Sequence, residues 1–309
     1  MREKLILIVI IMVVALNTQA QRVGSTPEYI KELTSQWKGE RLPDGRPLVP
    51  DLYIERLKFA TLEQIWGYLN NRGYRNQVAN QWMTLNSGQT MVGRVVTAQF
   101  MPARPDLDSL VRANGSREGR SQNGGINIWP IDILIKGDVY VADSYGKVKD
   151  GTLIGSSLGN SIYAKTGNGV IFNGAIRDMQ ELKDTKGFNA WIKGHHPSYI
   201  REMVPTSINA PIRIEEVTVF PGDIVFANDH GVVFIPAHLV EGLVSASELV
   251  SLRDEFERFL LKQNKYPSGL IHGDWNENIK KEFREWFLSS AKGRAVNINQ
   301  IDEYLKKMK

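Results

Sequence analysis

Near the middle of the chain an apolar, strand-like run, Val170-Ile171-Phe172, passes through Asn173-Gly174 into Arg177-Asp178, with Glu181 three residues further on. A guanidinium can hold a carboxylate bidentately, and open α/β sheets present their ligands at the carboxyl ends of strands. Two carboxylates three positions apart beside such an Arg have the donor chemistry to hold a hard divalent cation, directly or through water. The same residues have a structural use. Asp178 is a good helix N-cap, and Glu181 would complete a capping box. Capping leaves Arg177 unexplained, and the two uses are compatible.

A second stretch, Gly155-Ser156-Ser157-Leu158-Gly159-Asn160, precedes that strand. It reads as a loop with a capping Ser opening a helix, and the free N–H groups of such an opening suit a carboxylate or phosphate. His195-His196 follow a predicted strand. Adjacent strand residues face opposite ways, so the pair suits a surface or subunit contact better than a shared metal. His272 and Asp274 fit a turn between helices. A nucleophile elbow, a P-loop, HExxH and a dinucleotide fingerprint are all absent.

Around these residues the chain alternates strands with short helices. Strand-like runs occupy 91–103, 169–174 and 189–194, and short helices are predicted at 156–167 and 179–185. A further helix is predicted over 57–70, with Leu57, Ala60, Ile65, Trp66 and Leu69 at helical spacing and Thr61 as a cap. Residues 104–125, polar with several Gly, read as a surface excursion. The segments 136–148 and 221–235 both open on Gly-Asp and run through β-formers to an acidic turn and a Gly. Each reads as a turn, a buried strand, a second turn and a return strand. The alternation implies a layered α/β domain over about 51–245. Residues 246–309 read as an added extension of packing helices, and 21–50, mixing charge, Pro and Gly, as an arm or linker.

Composition narrows the function classes. Arg2 and Lys4 precede an apolar run from Leu5 to Leu16 and the small-residue exit Thr18-Gln19-Ala20. This is the layout of a secretory signal over 1–20, cleaved after Ala20, with an uncleaved anchor as the alternative. Export to a periplasm or beyond, with no stable membrane anchor after cleavage, is therefore expected. No Cys stands at the cleavage point, so a lipoprotein is excluded. The 309 residues contain no cysteine at all, which removes disulfides, thiol catalysis and Cys-ligated metals. The formal charge is +4. Loss of Arg2, Glu3 and Lys4 with the signal lowers it by one, too little to argue for nucleic acid.

Taken in order, Gly137-Asp138, Ala142-Asp143, Gly146, Gly155, Leu158, Gly174-Ala175, Arg177-Asp178, Pro221-Gly222-Asp223, Ala227, Gly231-Val232-Val233 and Pro236 form a pattern that resembles the RraA-like family over about residues 57–245. That family includes the class II 4-hydroxy-4-methyl-2-oxoglutarate/4-carboxy-4-hydroxy-2-oxoadipate aldolases. The resemblance implies a layered β/β/α swivelling-type domain, assembled into homotrimers or homohexamers with sites between subunits. The family's aldolases carry an acid or Gly, twenty residues, Arg-Asp, and sometimes another acid after two more. Ser156 stands at the first of these positions, a departure that weakens one side of a metal site, whereas Asp178 and Glu181 match the rest. By the same resemblance, Gly155 and the amides of Ser157 and Leu158 would receive a 2-oxo acid carboxylate. Arg177 would neutralise the developing enolate, and Asp178 and Glu181 would hold Mg²⁺ or Mn²⁺. Family members that regulate a ribonuclease lack a full metal set and work in the cytoplasm. The expectation is thus an exported, divalent-metal-dependent lyase cleaving a 2-oxo acid by retro-aldol reaction or a related decarboxylation. The alternatives are a non-catalytic RraA-like binding or scaffold protein and an enzyme acting on an oxidised sugar.

Overall fold

The computed structural model describes residues 22–290 and 295–308, so the signal-like segment and its cleavage point lie outside the described residues. The elements begin with helices α1 (Pro27–Leu33), α2 (Asp51–Leu57) and α3 (Leu62–Asn70), then strands β1 (Val78–Ala79), β2 (Met83–Thr84) and β3 (Met91–Pro102). Next come α4 (Pro105–Arg117), α5 (Trp129–Asp132), β4 (Asp138–Asp143), β5 (Thr152–Ile154), α6 (Ser156–Thr166), β6 (Val170–Ile176), α7 (Met179–Asp184) and β7 (Ala190–His195). Strands β8 (Met203–Ile208), β9 (Ile212–Ile214), β10 (Val217–Val219), β11 (Ile224–Asn228) and β12 (Gly231–Ile235) come after these. The chain closes on α8 (Val240–Gln263), α9 (Ser268–His272), α10 (Glu277–Ser290) and α11 (Ile298–Lys307).

The main sheet runs β1-β12-β11-β3-β4-β6-β7-β2, with β8 beside the far half of β3 and β5 beside the end of β6. Strands β3, β4, β6 and β7 are parallel neighbours, joined by helical crossovers. Side-chain alternation sets the layers. Val139 and Val141 of β4 enter one core with Val95, Ile171 and Trp191, while Tyr140 and Ala142 enter another with Val96, Val170 and Phe172. A strand buried on both faces must read as a continuous apolar run, which is why these segments show no polar alternation. The first core is roofed by the β9–β10 hairpin through Ile212, Ile214, Val217 and Val219. The second is covered by α6 and α7 through Ile162 and Leu182. Small sheet, large sheet and helices therefore stack as the expected β/β/α layers.

The C-terminal helices form as their periodicity predicts. The front of α8 packs Val240, Leu243 and Val244 on β11, β12 and the first helices. Its rear half carries a second, aromatic core of Phe256, Trp275, Phe283 and Phe287 shared with α9 to α11. At about 1.5 Å per residue, one helix spans both cores.

Three expectations change and a fourth is narrowed. The single helix over 57–70 is two helices: Leu57 ends α2, and Thr61 opens α3 with a capping box to Gln64. The surface excursion at 104–125 contains α4, opened by Pro105 and seating Val111 and Gly115 against the fold. Its few apolar residues gave too weak a periodic signal. Segment 221–235 is the expected antiparallel hairpin, but 136–148 is not, because β4 feeds a crossover instead of turning back. Finally, of the two readings of 21–50, residues 22–50 take that of an arm folded onto the domain. Arg46, 1% exposed, donates from both terminal nitrogens to Asp138 at 2.9 and 3.1 Å, and Val23, Ile30 and Val49 are buried.

Candidate functional site

Strand β6 ends where two neighbours meet. Its first half pairs with β4 and its last residues with β5, with the register shifting between Phe172 and Ala175 on the β7 side. Close approach is built into this turn. A side chain on Gly174 would collide with Ser144 Oγ, and Asn173 O accepts from the amides of Ser144 and Gly146, both at 3.0 Å. Asp143 braces the same corner: it accepts from Tyr145 N, Asn173 Nδ2 and Gln99 Nε2. Asp143 and Gly146 are thus structural members of the sequence pattern, and they fix the strand end from which Arg177 projects.

Arg177 and Asp178 leave β6 side by side. The Arg177 amide donates to Ile154 O at 3.0 Å, tying the turn to β5. Asp178 then adopts a left-handed backbone, φ 57°, before α7. Its side chain does not cap that helix, so the anticipated capping box with Glu181 does not form. Instead, Asp178 Oδ2 reaches across to accept from Ser156 N, the first amide of α6, at 3.0 Å, and from Arg177 Nε at 3.3 Å. The carboxylate caps the neighbouring helix and anchors the guanidinium at once.

This leaves three groups unspent in one place. The amides of Ser157 and Leu158 lie in the first turn of α6, where helical geometry provides no acceptor. The two terminal nitrogens of Arg177 have no hydrogen-bond acceptor among the described residues, and its side chain is 31% exposed. Gly155 is the hinge of the arrangement. It caps α6, and a side chain there would run into Asp178 Oδ2 and come within 2.6 Å of Arg177 Nε. Positive potential from a helix N-terminus and a guanidinium together suits a small carboxylate.

One contributor to the site, Tyr199, has no signal in the residue spacing. Tyr199 lies with its ring 4.9 Å from the Arg177 guanidinium carbon, a cation–π contact that occupies one face of the ion. Its loop is pinned: Ser198 N donates to His196 Nδ1, Ser198 Oγ accepts from Asp150 N, and Thr152 Oγ1 donates to Ser198 O. His196 therefore shapes the turn that presents Tyr199, while His195 is exposed at the strand end. Only the polar, aromatic character of His-Pro-Ser-Tyr hinted at this role.

Glu181 is brought less close. It is exposed on α7 and shares no hydrogen bond or ion pair with Asp178 or Arg177. Among the described residues, no group of three or more His, Asp or Glu side chains converges in a way that could hold a metal. The donor set fits only a cation that keeps most of its water and takes one or two carboxylates, the habit of Mg²⁺. His272 lies away in the helical extension, 3.2 Å from Glu257.

The RraA-like family model, described as Aldolase/RraA, matches residues 54–234, more than half of the chain. The chain belongs to the RraA-like family. Among its relatives, a Hahella chejuensis protein carrying the provisional name 4-hydroxy-4-methyl-2-oxoglutarate aldolase is 32% identical over 159 residues, 47% of this chain and 96% of its own length. Protein DlpA of Legionella pneumophila is 26% identical over 172 residues, but the chain spans only 25% of that relative's length. Among solved structures, a Streptomyces coelicolor protein described as an unusual member of the RNase ES inhibitor RraA family superposes with a TM-score of 0.59 at 25% identity, covering 69% of this chain and 98% of that one. The RraA-like segment contains every residue of the Gly155–Arg177–Asp178 cluster.

Proposed function

We propose that this RraA-like protein is a divalent-metal-dependent lyase that cleaves a 2-oxo acid by a retro-aldol step, acting outside the cytoplasm after loss of its first twenty residues. The observation that carries the reading is the joint placement of Arg177's free terminal nitrogens and the acceptor-less amides of Ser157 and Leu158 around Gly155. In a retro-aldol cleavage, the proton leaves the 4-hydroxyl and the bond between C3 and C4 breaks. Its electron pair then passes into the enolate of the 2-oxo fragment, and C3 is finally protonated. The Ser157 and Leu158 amides would orient the substrate carboxylate, and Arg177 would stabilise the negative charge growing on the C2 oxygen. Tyr199 would hold the guanidinium in that position. Asp178, with Glu181 one turn on, would hold Mg²⁺ or Mn²⁺, which when bound would supply Lewis-acid polarisation of the 2-oxo group. Assembly as a homotrimer or homohexamer belongs to the same proposal.

The test is a panel of 4-hydroxy-2-oxo acids with Mg²⁺ and with Mn²⁺, read by coupled reduction of released pyruvate. Turnover by the purified chain, abolished in Arg177→Ala with the oligomer intact, supports the reading; unaltered turnover in that variant contradicts it. Two observations favour a second reading, a binding module without catalysis. Ser156 stands where the family's aldolases have an acid or Gly, and Asp178 already has two donors. Oxo-acid binding without turnover, with or without metal, would select it.

A further inference from the structure

The two Gly-Asp turns that open β4 and β11 are built alike and partnered differently. In each, Gly takes a positive φ, 84° at Gly137 and 87° at Gly222. The Asp carboxylate then accepts from the amide three residues back: Ile135 N to Asp138 at 3.0 Å, and Phe220 N to Asp223 at 2.9 Å. Asp138, fully buried, is balanced by Arg46 in a bidentate pair, with Arg94 at 3.8 Å. Asp223 is 5% exposed, and the Phe220 amide is the one side-chain hydrogen bond it makes among the described residues. No ion pair reaches it there.

Against Asp223 lies a cavity of about 260 Å³ walled by Trp37, Tyr74, Phe220 and His238. Trp37 and His238 also line an adjoining cavity of about 590 Å³, whose charged groups are Glu40, Glu241 and Lys38. Aromatic walls around a carboxylate that no side chain neutralises form a site for a positive charge. His238 does not compete strongly for it, because burial lowers its pKa. Unbalanced burial also pushes the Asp223 carboxyl up to about 7. An arriving cation would favour the ionised form.

We infer that the Asp223 cavity, at the opposite end of the strands from Arg177, binds a small organic cation: a primary ammonium on a short carbon chain, whose charge does for Asp223 what Arg46 does for Asp138. The adjoining cavity, with two carboxylates to one ammonium, admits a second amine at the other end of the ligand. This site is independent of the lyase reading.

The test is calorimetric titration of the whole chain at pH 8, where Asp223 is ionised, with butylamine and 1,4-diaminobutane, and with butanol and butyrate as controls. Saturable binding of the amines but not of the controls is expected, weakened at least tenfold in Asp223→Asn, whose amide oxygen keeps the Phe220 bond. Thr218→Trp, a change at an exposed position on the cavity rim, should block binding without touching the carboxylate. Absence of saturable amine binding would overturn the inference. So would butanol binding as tightly as butylamine, or binding undiminished in both variants.

Discussion

Gly155 carries a constraint that no other residue of the site can relieve. The atoms its side chain would meet belong to the Asp178 and Arg177 side chains, Oδ2 of the first and Nε and Cγ of the second, not to backbone. A Gly155→Ala protein can therefore fold by pushing those side chains aside. Melting within a few degrees of the wild type, with turnover of any accepted oxo acid reduced on the order of a hundredfold, is expected, the size of a lost oxyanion donor. Calorimetry and steady-state kinetics on one sample separate the two effects. Asp223 gives a second prediction at this scale. Its pKa in the folded chain, about 7, lies above the ordinary carboxylate value of 3.8. The folded state thus holds the proton more tightly than the unfolded state. Stability from this group is complete below about pH 4, falls as pH rises through 7, and stays lost above it. Asp223→Asn should remove that slope. Its melting temperature should gain on the wild type between pH 5 and pH 8, by an energy of roughly 1–4 kcal/mol. A constant difference across that range would contradict the assignment.

The elements differ in how openly their sequences declare them. Strands β3, β4 and β6 were legible because burial on both faces demands uninterrupted apolar residues, and α3 because Thr61 and Gln64 cap it reciprocally. The Gly-Asp echo was legible as a turn, and the paired amide contacts to Asp138 and Asp223 confirm that much. The course of the chain beyond the turn was not legible, since a strand feeding a crossover and one feeding a hairpin carry the same local residues. The role of Asp178 is hidden from the sequence for a related reason. A capping box is a local pattern, whereas its actual acceptor duty lies 22 positions back at Ser156. The arm hid its purpose in a similar way: the partner of Arg46, Asp138, is 92 residues away. Arg46→Ala would strand a buried carboxylate, and a loss of about 3–5 kcal/mol is expected by chemical denaturation. A loss under about 1 kcal/mol would show that the arm is not a fixed part of the fold.

At the scale of the molecule, the β/β/α stack acts as a frame with two poles. One end of the parallel strands presents Arg177, Asp178 and the opening of α6; the opposite end holds the two Asp turns and the arm. The helical extension adds a core of its own through α8, and no helix of the described residues is long and apolar enough to cross a membrane. The fold and the Arg-Asp position could be read from the sequence, because both rest on short local patterns that recur in a fixed order along the chain. The stacking Tyr199 and the far pole could not, because they are products of loops brought together. On the proposed function, a guanidinium and helix amides jointly receive a small carboxylate. Oxalate, a planar mimic of the pyruvate enolate, tests it most directly by calorimetric titration with Mg²⁺ present. Binding to the wild type that weakens at least thirtyfold in Arg177→Ala is predicted, the loss of one charge-assisted pair of about 2 kcal/mol or more. Equal binding to the two proteins would rule out a carboxylate site built on Arg177.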